Sequence, residues 1–275
     1  MANLDRQALI DTARRYLDAV IAHDPKRVPL HAEARFTHNG SALRPGERYW
    51  RDIERFAGEQ FFVDTQAAQI IVMGTACLNA QAWPWALRLS IQDGKIVESE
   101  TVLSSENKSF FADADQLLRS DIIYDALVPP RRARDRVGLR AAADSYWDGL
   151  ESGNGDLPKF HYRCDRFQNG AKITHNMRLL MSPDAAIHTC ASAIRHAARS
   201  QPRVRERRFP VLDVERGVAA GFVIVDFSAV PDAGKPEAVT HYMMSVTKVV
   251  DGRLRLIDEI REIMPLGAVS GWAAA

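Results

Sequence analysis

Two repeated turns carry the residues best suited to proton transfer. His38 immediately precedes the turn Asn39-Gly40, and His175 lies shortly after the second copy of that turn. An imidazole exchanges protons near neutral pH, and a positioned general acid or base contributes about 10²- to 10⁴-fold to a reaction rate. His38 is therefore predicted to be a catalytic group that faces a cavity, with a surface turn histidine as the alternative.

The strand before the second turn supplies another catalytic hypothesis. His161, Arg163 and Asp165 alternate along the sequence, which would place all three on one face of a β-strand. Asp165 could then orient the imidazole of His161; the alternative is an exposed strand with salt bridges. Tyr242, in the last hairpin, could serve as an acid or a substrate anchor, with ordinary sheet packing as the alternative. The predicted catalytic residues are His38, His161, Asp165, His175 and Tyr242.

Aromatic and polar side chains near these positions could hold a substrate. Lys172 and Asn176 lie beside His175 and could stabilise an oxyanion or a phenolate. Trp83 and Trp85 share a strand face and could stack on an aromatic ring. The predicted substrate-binding residues are Tyr146, Trp147, Asn169, Lys172, Asn176, Trp83 and Trp85. For the two helix residues of this set, core packing is the alternative.

Carboxylates on the last strand of each unit are a further option. Glu98 and Glu100 share a face of the first such strand, and Asp258 or Glu259 occupies the matching place in the second. If buried, these groups would have raised pKa values and could act as bases. Solvated carboxylates on an edge strand are the alternative.

The elements that must position these residues occur twice. Tyr16 and Tyr146 lie 130 positions apart on matching helical patterns, the first of which begins after Asp5. Extended runs follow each helix, and Asp93-Gly94 and Asp251-Gly252 are turn signals typical of a β-hairpin. A helix followed by an antiparallel meander predicts an α+β fold in which the helix covers one face of the sheet.

The sequence therefore predicts two tandem cone-shaped domains, each a helix packed on a strongly curved antiparallel sheet. The boundary falls at Val128-Pro129-Pro130, which gives domains 1–127 and 128–275. The second unit carries an insertion, Ser182 to Arg203, which is predicted to be helical with an end at Pro202. A concave, mostly apolar cavity with a few polar groups is the usual site for a small molecule.

Composition excludes several classes of function. Lys and Arg total 36 against 35 Asp and Glu, so there is no excess positive charge for a phosphate backbone, and no nucleic-acid partner is expected. No apolar run approaches the ~18 residues that would suggest a membrane span. The polar N-terminus and three unpaired cysteines predict a cytoplasmic protein with reduced thiols. No motif for a nucleotide, a nucleophilic serine or a metal is present, so no metal and no cofactor are expected.

The chain resembles the tandem form of the nuclear-transport-factor-2-like (NTF2-like, also called SnoaL-like) superfamily. The resemblance covers nearly the whole chain. It is carried by Tyr16 and Tyr146, the Asn-Gly turns, the stretch from Arg205 to Asp213 with Glu215-Arg216-Gly217, and the ending from Gly267 to Trp272. It implies cone-shaped folds that hold small hydrophobic molecules, usually without a cofactor. Where this family commonly has Glu before Asn-Gly, the chain has His38 and Gln168, so a copied carboxylate role does not transfer.

The resemblance extends to deformylating lyases that act on lignin-derived diarylpropane diols. It implies a cofactor-independent lyase or dehydratase on a small aromatic molecule, with formaldehyde as a possible leaving fragment. It also implies a homodimer, since such sheets pack on one another through their open faces. Two alternatives stay open: a non-catalytic binding or assembly module, and an isomerase or cyclase of a biosynthetic pathway. The second copy, which has more polar groups, is the preferred site.

Overall fold

A computed structural model describes residues 5–118, 121–181, 188–229 and 237–272, apart from the side chains of residues 179–180. The described strands form two six-stranded sheets, each accompanied by one long helix. The predicted fold class, two tandem α+β units with curved sheets, is confirmed. The boundary at residue 128 stays a prediction. None of the described helices is both long and apolar enough to cross a membrane.

The two units have the same order of strands and long helices, and the second has one additional helix, Cys190–Ala197. The first contains α1 (Arg6–Ile21), β1 (Leu30–His38), β2 (Ser41–Ala42), α2 (Tyr49–Asp52), β3 (Arg55–Asp64), β4 (Gln69–Leu78), β5 (Gln81–Gln92) and β6 (Lys95–Leu103). A connecting segment, 104–135, contains the short pair β7 (Lys108–Ser109) and β8 (Ala112–Asp113) together with 3₁₀ turns. The second contains α3 (Arg136–Ser152), β9 (Phe160–Gln168), β10 (Ala171–Lys172), α4 (Met177–Leu180), α5 (Cys190–Ala197), β11 (Arg203–Asp213), β12 (Val218–Phe227), β13 (Val239–Val250) and β14 (Arg253–Pro265).

Local sequence explains where the two long helices begin and end. The carboxylate of Asp5 accepts a hydrogen bond from the backbone N–H of Ala8, and that of Asp135 accepts one from Gly138 at the start of α3. These caps satisfy N–H groups that a helix start leaves without partners. The second long helix, α3, ends at Ser152 and is followed by Gly153, whose φ of 69° is a left-handed conformation that favours glycine.

Strand pairing is the same in both sheets. The orders are β2-β1-β6-β5-β4-β3 and β10-β9-β14-β13-β12-β11. The first long strand of each unit runs parallel to the last, and the other neighbours are antiparallel. Each long helix packs on the inner face of its own sheet, where Tyr16 is fully buried in the first unit and Tyr146 is buried in the second. We call the space between a long helix and its sheet the first or the second cone.

The outer faces of the two sheets pack against each other within one chain. Phe62 and Met73 of the first sheet share an apolar cluster with Phe222, Tyr242 and Met244 of the second. The open sheet faces that motivated the expectation of a homodimer are therefore covered inside the monomer. The homodimer stays a prediction.

Each of the two Asn-Gly turns packs against the chain segment that follows the other unit. A Cβ on Gly40 would collide with the carbonyl oxygen of Val269, and one on Gly170 with that of Asp113. Both glycines also have positive φ, 75° and 82°. The repeated motif is therefore required by the crossed packing of the two units, and this explains why it occurs twice.

The insertion in the second unit differs from the prediction. The predicted helix reaches Pro202, whereas α5 ends at Ala197 and begins after Thr189, whose hydroxyl accepts a hydrogen bond from Ser192 N–H. The reason is this capping box, which starts the helix late, and the 3₁₀ turn Ala198–Ser200, which ends it early. The predicted part at residues 182–187 lies outside the described residues.

Candidate functional site

The second cone contains a buried charged cluster. One Arg166 terminal nitrogen, Nη2, donates to Glu259 Oε2 at 2.6 Å and to Gln168 Oε1 at 2.9 Å. The Glu259 side chain is 1% exposed and that of Arg166 is 15% exposed. An ion pair so withdrawn from water is costly unless it is well hydrogen-bonded. Its presence inside a cone makes this region the candidate functional site.

Strand geometry brings these residues together. Arg166 and Gln168 are two positions apart on β9, so they share a face. Gln168 is the register partner of Glu259 on the neighbouring β14. From the opposite side, α3 contributes Tyr146, which is close enough for the charges of Arg166 and Glu259 to act on the pKa of its phenol.

The electrostatics fix the protonation states of two members. Burial raises the pKa of Tyr146 well above its ordinary value, a rise that Arg166 opposes and Glu259 reinforces, so the phenol stays a proton donor. Burial alone would lower the pKa of Arg166, but the carboxylate of Glu259 outweighs it and the pKa is raised. Arg166 therefore keeps its charge at every physiological pH.

Two buried atoms of the cluster have unused hydrogen-bonding capacity. Arg166 Nε and Glu259 Oε1 have no hydrogen-bond partner within the described parts of the chain. Leaving a buried polar group unpaired costs about 1–3 kcal/mol, and more for a charged group. A donor on Arg166, an acceptor on Glu259 and the phenol of Tyr146 could together hold an oxygen that develops negative charge while a proton is removed.

The first cone has the same framework with different chemistry. Its β1–β6 register pairs Phe36 with Ser99 and His38 with Thr101, where β9 and β14 pair Arg166 with Ile257 and Gln168 with Glu259. Phe36 of the first unit therefore occupies the repeat position of Arg166, and Thr101 occupies that of Glu259. In place of charges, Tyr16 Oη lies 2.8 Å from both Tyr49 Oη and Ser99 Oγ, in a buried chain of hydroxyl groups.

His38 lies inside this first cone. Its ring meets Tyr49 edge-on, with ring centroids 5.1 Å apart, and its buried Nδ1 has no partner among the residues described. Burial, assisted by the positive charge of Arg48, lowers its pKa to about 4. The imidazole is therefore neutral at physiological pH.

The predicted orientation of the His161 imidazole by Asp165 is wrong, because Asp165 binds another histidine. Asp165 Oδ1 lies 2.8 Å from His175 Nδ1, whereas His161 Nδ1 accepts the backbone N–H of Arg163. The hydrogen bond from the Arg163 backbone uses His161 Nδ1 locally, and His175, in the segment after β10, reaches Asp165 instead.

Three predicted site residues do meet at the surface. Asp165 binds Lys172 Nζ through Oδ2 at 3.2 Å and His175 through its other oxygen. Desolvation raises the pKa of Asp165, but hydrogen bonds from His175 and Lys172 outweigh it and the pKa is lowered. Asn176 donates to the Lys172 carbonyl oxygen at 2.6 Å. These side chains are partly exposed, and within the described structure none of them forms a hydrogen bond or ion pair with the side chain of Arg166 or Glu259.

Tyr242 is also displaced from its predicted place at a cavity of the second cone. Its phenol donates to Glu100 across the interface between the two sheets, and the side chain is fully buried there. Alternation along β13 puts Tyr242 with Met244 on the outer face of the sheet.

The remaining predicted binding residues are mostly structural. The Asn169 amide donates to Ser104 Oγ at 2.9 Å and to the Arg261 carbonyl oxygen at 3.2 Å, so both of its protons are used. Trp85 is fully buried and packs on Phe56, while Trp83 is partly exposed. Trp147 packs edge-on against Tyr146 with a centroid distance of 4.8 Å.

Sequence reasoning missed Arg166, and it named Glu259 only as one of several carboxylates. A signal was available, because Arg166 stands at the repeat position of the apolar Phe36. No group of three or more His, Cys, Asp or Glu residues that could hold a metal ion occurs among the described residues.

Fold and site together define the class of the protein: a tandem α+β protein with two helix-covered curved sheets, the second of which encloses buried acidic, basic and phenolic groups. The family described as "Domain of unknown function (DUF8021)" matches residues 2–103 and 132–261, and the chain belongs to this family. A search of curated proteins finds no match.

Solved structures give similarities to single units of this chain. An NTF2-like protein of unknown function from Cytophaga hutchinsonii is 12% identical, with 38% of this chain and 95% of that chain covered and a TM-score of 0.30. A LEH-like epoxide hydrolase from M. tuberculosis is 14% identical, with 46% and 85% covered and a TM-score of 0.35. A protein of unknown function with a cystatin-like fold from Methylobium petroleophilum is 18% identical, with 39% and 82% covered and a TM-score of 0.34.

Proposed function

We propose that the second cone binds a small aromatic alcohol or diol and catalyses a cofactor-independent lyase or dehydratase reaction on it. The observation that carries the proposal is the buried pair Arg166–Glu259, whose Nε and Oε1 atoms are both unpaired within the described structure. A carboxylate oxygen and a guanidinium N–H are the groups that a proton abstraction and a developing oxyanion require.

A diarylpropane diol illustrates how the chemistry would balance. Glu259 Oε1 takes the proton of the terminal hydroxyl, the bond between that carbon and its neighbour breaks, and formaldehyde leaves. The electron pair of the broken bond forms a double bond and expels the benzylic hydroxyl, which takes a proton from Tyr146 and departs as water. Glu259 then returns its proton to the Tyr146 phenolate, which Arg166 stabilises in the meantime.

The neutral imidazole of His38 and the hydroxyl chain around Tyr16 do not supply this combination. The first cone has no counterpart of the Arg166 charge at Phe36, nor of the Glu259 carboxylate at Thr101. We therefore assign turnover to the second cone alone.

The test is turnover of a panel of diarylpropane diols and aryl β-hydroxy compounds, followed by formaldehyde release and by absorbance of the conjugated product. Glu259→Gln keeps the size and the hydrogen bond to Arg166 but cannot take a proton, so kcat should fall by about 10²- to 10⁴-fold. Tyr146→Phe should lower kcat at unchanged fold. Thr101→Val, the matched change in the first cone, should leave kcat unchanged.

Full turnover by Glu259→Gln, or loss of turnover in Thr101→Val with an intact fold, would contradict the proposal. Binding without turnover would instead support the alternative of a non-catalytic binding module. If the wild type converts none of the panel, but binds one member with an affinity that requires Arg166 and Glu259, the second cone is a binding site without this catalysis.

A further inference from the structure

A cavity lies between the two sheets, outside both cones. It has a volume of about 320 Å³, and its wall includes Gln60, Met73, Leu117, Tyr124, Phe167 and Asp258. This volume is at the lower end of the ~300–1,000 Å³ that is usual for small-molecule sites. The cavity could therefore accept a ligand about the size of one aromatic ring with a short substituent.

The carboxyl group of Asp258 is the central polar group of this cavity. Its Oδ2 accepts the Tyr124 hydroxyl at 2.6 Å, and its side chain lies in the buried inter-sheet layer. The other oxygen, Oδ1, has no hydrogen-bond partner in the part of the chain that the structure describes. A buried carboxylate normally has a cationic or strong hydrogen-bonding partner.

The first unit shows what such a partner looks like. Register pairs Thr37 with Glu100 and Phe167 with Asp258, so the two carboxylates occupy the same repeat position on the outer faces of their sheets. Glu100 accepts hydrogen bonds from Arg88 Nε at 2.9 Å and from Arg208 Nη1 at 3.0 Å. Two arginines thus neutralise the first carboxylate.

Both arginines are missing at the second position. Register pairs Arg88 with Glu100 but Val246 with Asp258. The counterpart of Arg208, which pairs with Phe222, is Gln60, which pairs with Met73. Asp258 therefore faces a valine and a carboxamide at the positions from which two arginines bind Glu100.

The rest of the cavity wall provides acceptors and apolar contacts. Gln60 Oε1 is buried without a partner in the described structure, while its Nε2 donates to Asp125 Oδ1 at 3.3 Å. Asp121 is a second carboxylate in the wall, and no Lys, Arg or His side chain is among the described residues that line it. Met73, Leu117 and Phe167 provide an apolar side.

We propose that this inter-sheet cavity is a second binding site, which takes a small organic amine with an apolar ring or chain. The ammonium group would supply the charge that Arg88 and Arg208 supply in the first unit, and would donate to Asp258 Oδ1 and Gln60 Oε1. The apolar part would lie against Met73 and Phe167.

The site also has a defined pH dependence. Burial raises the pKa of Asp258 to about 7; the Tyr124 hydrogen bond opposes this rise, and the charges of Asp121 and Glu259 add to it. Two other titratable groups lie nearby: Asp125, which is bonded to Gln60, and Lys248, which is two positions from the register partner of Asp258 on β13 and donates to the carbonyl oxygens of Ala126 and Arg216. An ammonium ion binds the ionised carboxylate, so its affinity should increase as the pH rises through 7 and fall about tenfold per unit below it.

Calorimetric titration of the full chain with benzylamine, phenethylamine, cyclohexylamine and butylamine tests the proposal. At pH 8 at least one amine should bind saturably, and the affinity should fall about fivefold between pH 7 and pH 6. Benzyl alcohol and benzoate, which have the size of benzylamine without its positive charge, should bind at least tenfold more weakly. Asp258→Asn should reduce amine affinity at least tenfold. Asp115→Asn, an exposed carboxylate on the connecting segment that also supplies Leu117 and Tyr124 to the cavity wall, should not change it.

Two further variants keep the test decisive if Asp258→Asn unfolds. Met73→Trp should fill the cavity and abolish amine binding with the carboxyl group intact, while Tyr146→Phe in the second cone should leave binding unchanged. The proposal is overturned if none of the four amines binds, if benzyl alcohol binds as tightly as benzylamine, or if Met73→Trp binds the amine like the wild type.

Discussion

The two units of this chain place their charges on opposite faces of the same fold. The first unit has Arg88 and Glu100 on the outer face of its sheet, and neutral groups such as Thr101 and Tyr16 inside its cone. The second has Arg166 and Glu259 inside its cone. The carboxylate on its outer face, Asp258, lacks a cationic partner among the described residues.

This difference separates structural from functional roles. An ion pair held between two packed sheets fixes how the units associate, whereas an ion pair inside a cone with unpaired atoms is available to a ligand. The repeat provides its own control, because each position in one unit has a counterpart in the other.

The largest effect on stability is expected at Glu100. Replacing Glu100 by Ala removes the carboxylate that Arg208 binds between the sheets and leaves Arg88 with only Glu98 and Gln69, which should lower the free energy of unfolding by about 3–5 kcal/mol. The measurement is urea denaturation at pH 7. Glu98→Ala is the matched control: Glu98 also binds Arg88 but is 38% exposed, so its loss should cost under about 1 kcal/mol. Equal effects of the two changes would contradict the assignment of Glu100 as the central interface group.

The counterpart Asp258 should behave in the opposite way. Its pKa is raised from 3.8 to about 7, so the folded state favours the protonated form; this stabilisation is fully present below about pH 4 and is lost as the pH rises to 7. Asp258→Asn removes this loss. It should therefore gain stability over the wild type between pH 4 and 7, by up to about 4 kcal/mol at pH 8.

Thermal or urea unfolding of wild type and Asp258→Asn across that pH range measures this difference. A constant difference at all pH values would show that Asp258 does not titrate in the folded protein within this range.

His38 of the first cone should have a smaller effect on stability, and its pH dependence should be opposite to that of Asp258. The pKa of His38 is lowered to about 4 from 6.5, so the folded state favours the neutral ring; this stability is complete above about pH 6.5 and is lost as the pH falls towards 4. Across that window the loss should total about 3 kcal/mol. His38→Gln, which introduces the residue of the second unit, should remove it, and an unchanged acid-unfolding profile would show that His38 is solvated.

The smallest effect is expected where the C-terminal segment crosses to the first unit. The indole N–H of Trp272 donates to Thr37 Oγ1 at 2.7 Å, and the guanidinium groups of Arg35 and Arg88 lie over its ring at 4.3 and 4.7 Å. Trp272→Ala should lower stability by about 1–2 kcal/mol, since one hydrogen bond and exposed cation–π contacts are lost. Trp272→Phe should recover part of the lost stability. Equal unfolding midpoints for Trp272→Ala and the wild type would show that the C-terminal segment does not stabilise the first unit.

Repeated features of the sequence were sufficient to predict the framework. The shared pattern around Tyr16 and Tyr146 predicted two helices, and the two Asp-Gly turns predicted the last hairpin of each sheet, as the structure has them. Local signals act here without help from distant residues, because a cap or a turn depends on a few neighbouring positions.

The site could not be predicted in the same way. Asp165 was expected to orient His161, but it binds His175, which reaches it only after the chain has turned at Gly170. Glu259 became identifiable only once register set it beside Gln168 and opposite Tyr146, far away in the sequence. The place of Tyr242 depended on the packing of one sheet on the other, which a strand pattern alone does not specify.

The most direct test of the central claim is a crystal structure of the protein with a bound diarylpropane diol or its product. We predict ligand density in the second cone, with an oxygen within hydrogen-bonding distance of Arg166 Nε and Glu259 Oε1. Density in the first cone beside His38, with the second cone empty, would contradict the claim that the second unit carries the function.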